Sequence, residues 1–114
     1  MRFVFATGVA LLLSGCSQRS GILQQKVVGT WGSIDPNGVI TFGADGSVRS
    51  RFTVQSHVWT FEGTWRLNGD EIVVTTTKSN SVPYQNVARY QIIRADDNEL
   101  VYESKGQRLS WHRR

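Results

Sequence analysis

Catalysis needs ionisable or nucleophilic side chains gathered at one place, and this chain has few to gather. Its two histidines are His57, in an expected turn, and His112, near the C-terminal end. Neither stands in a recognisable motif, and zinc sites use three or four clustered ligands, so no metal centre is expected. Asp70-Glu71 and Asp96-Asp97 look like paired acids. Both fall in turn-like stretches, where Asp is favoured because it bonds its own backbone. No Gly-rich phosphate loop, nucleophile elbow or Cys–His arrangement occurs. The expectation is a non-catalytic protein without a cofactor. The one remaining reactive side chain is Cys16, the only cysteine.

The surroundings of Cys16 define its chemistry. Arg2 precedes an apolar run from Phe3 to Leu13. Such a run is too short to span a bilayer as a permanent helix, but it has the length of a signal-peptide core. The ending Leu13-Ser14-Gly15-Cys16 resembles the lipobox of bacterial lipoproteins. That resemblance implies cleavage before Cys16, a diacylglycerol on its sulfur and a fatty acyl chain such as palmitate on the new amino group. Acyl chains contribute about 0.8 kcal/mol per buried CH₂, so two or three hold a protein on a membrane durably. Ser17 follows the cysteine where lipoproteins kept in the inner membrane often carry Asp. The same resemblance therefore implies the outer membrane, facing the periplasm.

Cutting there divides the chain into a leader (residues 1–15), a lipidated cysteine with a polar tether (16–26) and one domain (27–114). The tether, SQRSGILQQK after Cys16, is aperiodic and has the composition of a short linker. The 99 residues left after the cut suffice for one domain and one core. With Cys16 used, no cysteine remains, so the domain is expected to fold without a disulfide. Removing Arg2 leaves 12 Lys+Arg against 9 Asp+Glu, an excess of three spread along the chain. No basic stretch is interleaved with aromatics, so a nucleic-acid partner is not expected.

Four Trp, three Tyr and five Phe, with abundant Thr and Val between Gly-containing turns, make the domain all-β. Turn signals recur about every ten residues and separate eight strands, roughly 27–34, 39–43, 47–55, 58–67, 70–78, 84–94, 99–104 and 107–113. No segment has a helical period.

Turn chemistry then predicts registers. Asn68-Gly69 as a two-residue loop pairs Trp65 with Ile72, Leu67 with Asp70 and Gly63 with Val74, with Arg66 opposite Glu71. Ser56-His57 as a loop pairs Val54 with Trp59, Phe52 with Phe61 and Val48 with Trp65, with Arg51 facing Glu62. Lys105-Gly106 pairs Tyr102 with Leu109 and Leu100 with Trp111, with Glu103 facing Arg108. Ala44-Asp45-Gly46 as a three-residue loop pairs Phe42 with Val48. Apolar pairs fall on one face and opposite charges on the other. Eight sequential antiparallel strands with one apolar face leave two edges, and closure into an up-and-down barrel removes both. A two-layer sandwich is the alternative.

The stretches VVGTWGS, GVITFGADGSV, FEGTWRLNGDEIVVTTT and DDNELVYES resemble the small bacterial lipocalin-like domains of envelope lipoproteins. The first also carries the Gly-x-Trp of true lipocalins, as Gly29 and Trp31. The resemblance implies that Trp31 lies at the closed end of the barrel under a basic residue from a late strand, Arg108 or Arg113. Arg113 shares the inward parity of Trp111.

An eight-stranded barrel either fills with side chains or holds one small ligand. If it holds one, the inward residues expected to line it are Trp59, Phe61, Trp65, Tyr90 and Tyr102, with Ser50 and Thr76 as polar fixers. Gly63, between Phe61 and Trp65, either bends a strand at a barrel corner or leaves a hollow. The leading expectation is a lipid-anchored envelope protein binding a small apolar or lipid ligand. The alternative is a protein-interaction module with a packed core: an envelope assembly factor, an inhibitor of a cell-wall-degrading enzyme or an immunity protein. It would use the outer face or the Ser79–Gln85 loop.

Overall fold

The structure, a computed structural model, describes residues 21–33 and 38–114. Cys16, the leader and Asp35-Pro36-Asn37 of the first turn lie outside the described residues. Eight strands follow in order: β1 (Gly29–Ser33), β2 (Gly38–Phe42), β3 (Ser47–Val54), β4 (His57–Asn68), β5 (Glu71–Ser79), β6 (Val82–Ala95), β7 (Glu99–Ser104) and β8 (Gln107–Arg113). Each pairs antiparallel with the next, and β1 pairs with β8, so the sheet is a closed up-and-down barrel and not a sandwich. Closure leaves no unpaired edge.

Two registers follow the turn chemistry as expected. Phe42 faces Val48 across a loop whose Gly46 has φ +88°. Leu100 faces Trp111 and Tyr102 faces Leu109, with Arg108 and Glu103 3.8 Å apart outside. Lys105 and Gly106 both have positive φ, the type I′ pattern.

Two hairpins slip by two residues. The β4–β5 turn is Gly69-Asp70, with positive φ at Gly69 only, the type II′ pattern. Leu67 then faces Ile72 in place of Asp70, and Trp65 faces Val74. Arg66 faces Val73, and Glu71 takes Arg89 of β6 as its ion partner at 3.0 Å. The slip replaces an apolar–acid pair with an apolar–apolar one. The β3–β4 turn is Gln55-Ser56, both at positive φ. Phe52 therefore faces Trp59, Ser50 faces Phe61, and Arg49 takes the place of Arg51 opposite Glu62. A slip of two leaves every side chain on its expected face.

Two further corrections concern chain expected to be irregular. Residues 79–85 are not a long loop: Asn80-Ser81 is a two-residue turn, again at positive φ, and β6 starts at Val82. Residues 21–27, expected mostly as tether, are a helix, α1. Its Leu23 and Val27 lie four apart on one face, where Leu23 packs on the core and Val27 is fully buried. A single i, i+4 pair is too short a pattern to read as helical period.

The core lies at the end of the barrel that α1 adjoins. Trp31, Phe42, Ile72 and Leu100 are fully buried there. Phe42 meets Trp65 edge-on at 5.2 Å between ring centroids, and Tyr102 meets Trp111 at 4.2 Å. Arg113 is the basic residue over Trp31, its guanidinium 4.1 Å from the ring centroid. It donates to the carbonyls of Lys26, Val28 and Asp97, joining the end of α1 to the β6–β7 turn.

The two Gly-Thr-Trp copies do similar work. Trp31 Nε1 donates to Val27 O and Trp65 Nε1 to Gly43 O, both at 2.8 Å. Gly29, at φ +135°, makes room for the Arg113 side chain, and a Cβ on Gly63 would stand 1.9 Å from Thr75 O. Each glycine thus admits a close neighbour beside a buried indole.

Candidate functional site

Toward the other end the barrel is not filled. Strand β4 shifts register between Glu62 and Gly63 against β5, and β5 shifts against β6 between Thr76 and Lys78. Such bulges bend strands and re-aim side chains. Above them lies a cavity of about 240 Å³. Ile40, Val48, Ser50 and Phe52 come from β2 and β3, Phe61 and Glu62 from β4, and Val74 and Thr76 from β5. Strand β6 supplies Tyr84, Asn86, Ala88 and Tyr90. Phe52 stacks on Phe61 at 5.4 Å with 16° between ring planes, and Phe61 meets Tyr84 at 6.1 Å. A second hollow of about 260 Å³ shares Ile40, Ser50, Phe52 and Tyr90 with the first. It reaches Tyr102, Trp111 and, toward the outside, Arg51.

The expected site residues divide accordingly. Phe61 and Tyr90 line the cavity, as do Ser50 and Thr76. Tyr102 borders the second hollow beside Tyr90, their rings 5.3 Å apart. Trp65 lies in the closed-end core with its N–H satisfied. Trp59 lies on the projecting β3–β4 hairpin, 39% exposed and edge-on to His57 at 4.7 Å. Gly63 leaves no hollow, because Thr75 and Thr76 backbone occupies the space a side chain would take.

Sequence reasoning missed Tyr84, Asn86 and Ala88. Counting back by twos from inward Tyr90 gives Ala88, Asn86 and Tyr84, but a small and a polar residue on that parity hide the face from an apolar-pattern search. Glu62 borders the cavity beside a bulge, with its side chain on the expected outer face opposite Arg49.

The cavity is polar in places but carries little charge. The Tyr90 phenol is held above its ordinary value by burial. Burial and the nearby Tyr90 push Tyr102 up to about 12. Both phenols are therefore protonated donors at neutral pH. The acidic pairs lie away from the cavity. Asp96 accepts the N–H groups of Asn98 and Glu99, which hold its carboxyl below the usual range. Asp45 is lowered in the same way by the Ser47 hydroxyl and N–H. These acids close turns. His112 lies outside the barrel, 3.8 Å from Glu99. Among the described residues, no three His, Cys, Asp or Glu side chains gather to hold a metal.

A closed eight-stranded antiparallel barrel, packed under a Gly-x-Trp at one end and hollow toward the other, is a lipocalin-like barrel. No family model matches the sequence, and no curated protein is similar to it at a significant level. Solved structures are similar in fold. A lipocalin-like protein from Bacteroides uniformis superposes with a TM-score of 0.66 at 16% identity, over 78% of this chain and 99% of its own. A lipocalin-like protein from Bacteroides thetaiotaomicron gives 0.59 at 20% identity, over 77% and 96%. An uncharacterized protein from Bacteroides eggerthii gives 0.62 at 16%, over 77% and 99%. At these identities the likeness speaks for the fold.

Proposed function

We propose that this chain is a non-catalytic binding protein of the bacterial envelope that holds one small, largely apolar molecule in the mouth half of its barrel. The observation that carries the reading is the 240 Å³ cavity, walled by aromatic rings and open beside them, above a tightly packed closed end. Small-molecule sites are mostly apolar hollows with a few placed polar groups. The lipobox-like Leu13-Ser14-Gly15-Cys16 supports an acyl anchor on the outer membrane, facing the periplasm. On this reading the chain needs no cofactor, and its lasting partner is the membrane that takes its acyl chains. Strand β1 starts at the closed end, so an anchor preceding α1 leaves the mouth free.

Native mass spectrometry of the protein, gently purified from its own membrane, tests this. The expected result is an extra mass that is lost on denaturation and absent from an Ala88→Phe variant. Ala88 lines the cavity and is only partly buried, so a larger ring there fills the space. Gly63 is unsuited to that purpose, since its side-chain space is already backbone. An acylated mass with nothing added, in wild type and variant alike, would sink the reading.

A second reading, an interaction module for another envelope protein, rests on Val82 and Tyr84, which are 61% and 46% exposed at the rim. A protein co-purifying through that rim, with no small-molecule mass, would favour it.

A further inference from the structure

The walls of the cavity say which molecules it suits. We infer that the barrel takes an uncharged, ring-shaped molecule carrying hydrogen-bonding groups, and that it disfavours fatty acids and other anions. The inference rests on the binding reading above and narrows it.

Charge is the first ground. Among the described residues, no Lys or Arg lines the 240 Å³ cavity. Glu62 borders it, but by strand alternation its side chain lies on the outer face opposite Arg49. The two groups lie 3.9 Å apart, with side chains 47% and 79% exposed, so both are in solvent. A carboxylate ligand would lose water on entering and meet no facing cation. Arg51 borders the adjoining hollow, but its strand position alternates with inward Ser50 and Phe52, which places it on the outer face.

Unsatisfied polarity is the second ground. The side chains of Ser50, Thr76, Asn86 and Tyr90 line the cavity, and none has a hydrogen-bond partner among the described residues. Thr76 is buried, yet among the described residues no buried side-chain polar atom is sealed without a partner. These groups are therefore reached from the cavity and wetted in the free protein. A pure hydrocarbon would strip that water and return nothing, and leaving buried polar groups unpaired is strongly unfavourable. A ligand with hydroxyl, carbonyl or amide groups replaces the water it displaces.

Shape is the third ground. The apolar surface comes chiefly from the rings of Phe52, Phe61, Tyr84 and Tyr90. The volume lies below the roughly 300–1,000 Å³ of drug-sized pockets. One or two fused rings fit that space.

Three probes on one scaffold separate these grounds: naphthalene, 2-naphthol and 2-naphthoate, titrated against the full chain. Heteronuclear NMR is read at the resonances of Thr76, Asn86 and Ala88. The expected result is 2-naphthol bound about tenfold or more tighter than 2-naphthoate, and several-fold tighter than naphthalene. Glu62→Gln, on the outer face, should leave the first ratio unchanged. Thr76→Val combined with Asn86→Leu should erase the second while the remaining spectrum stays folded. If 2-naphthoate binds as well as 2-naphthol, and loses that binding in Arg51→Gln, the barrel has an anion site. The inference then fails while the binding reading stands. If naphthalene binds as well as 2-naphthol, the inference also fails. If no probe moves a cavity resonance, both fall together.

Discussion

At the closed end of the barrel, inward side chains are sealed: Trp31, Phe42, Ile72 and Leu100 have no exposed surface. At the mouth, residues of the same inward parity are open. Val54 is 50% exposed, Trp59 39% and Leu109 44%. Alternation along a strand decides which face a residue occupies. Its place along the barrel axis decides whether that face is covered. The β3–β4 hairpin continues past Thr60, where Asn80 of the β5–β6 turn pairs with β4, and beyond that point none of the described residues of β5 or its turn pairs with β4. One end is built to be full and the other to be filled.

The contrast predicts unequal costs for like substitutions. Trp31→Ala removes a buried indole, its 2.8 Å bond to Val27 O and the surface under Arg113. It should cost about 3–5 kcal/mol. Trp59→Ala should cost under about 1 kcal/mol, because a half-exposed ring has little packing to lose. Urea unfolding at neutral pH measures both. Equal losses would mean that the mouth is part of the cooperative core, and the division into two ends would be wrong.

Arg113→Lys tests what holds the closed end shut. Lysine keeps the charge but not the planar fork that reaches three carbonyls. The expected loss is about 1–2 kcal/mol. Amide exchange should rise first in α1 and in the β6–β7 turn, which this arginine joins. Uniform loosening of the whole barrel would contradict that role.

The same contrast explains what could be read from the residues alone. The Phe42–Val48 and Leu100–Trp111 pairs were legible because Ala44-Asp45-Gly46 and Lys105-Gly106 fit their turns without rivals. Gly69-Asp70 lost to Asn68-Gly69 on turn preference, and Gln55-Ser56 carries no mark of positive φ at all. Both misplacements were even, so the inward set survived them; face alternation cannot detect a slip of two. The packed end was thus nearly complete on the page. The cavity was half visible: Phe61, Tyr90, Ser50 and Thr76 followed from parity. The β6 wall did not, since Asn86 and Ala88 look like surface residues. A binding wall departs from core patterning where it must leave room or offer a polar group.

The two tyrosines at the boundary between the ends supply a pH test. In the unfolded chain a phenol ionises near its ordinary value of about 10. Folded Tyr102 holds its proton up to about 12. Above the unfolded value the unfolded state binds fewer protons than the native one, so stability falls as pH rises. The contribution is complete below about 10 and is lost on the way to about 12. The urea midpoint should drop over that window, and Tyr102→Phe should flatten the drop. A wild-type midpoint that is level across it would place Tyr102 in open water.

The smallest effect belongs to the outermost turn. Gln55 and Ser56 have φ of 52° and 68°, a region that side chains other than Asn, Asp and Gly adopt at a cost. Replacing the pair with Asn-Gly, the preferred type I′ turn, should stabilise the protein by about 0.5–1 kcal/mol. Pairing from Val54–His57 downward would be unchanged. The gain should appear as a slower opening of the β3–β4 hairpin in amide exchange. If ligand binding weakens in the same variant, the strained turn is part of how the mouth opens. If binding is indifferent to it, the strain is simply tolerated, because the far end of the barrel carries the stability.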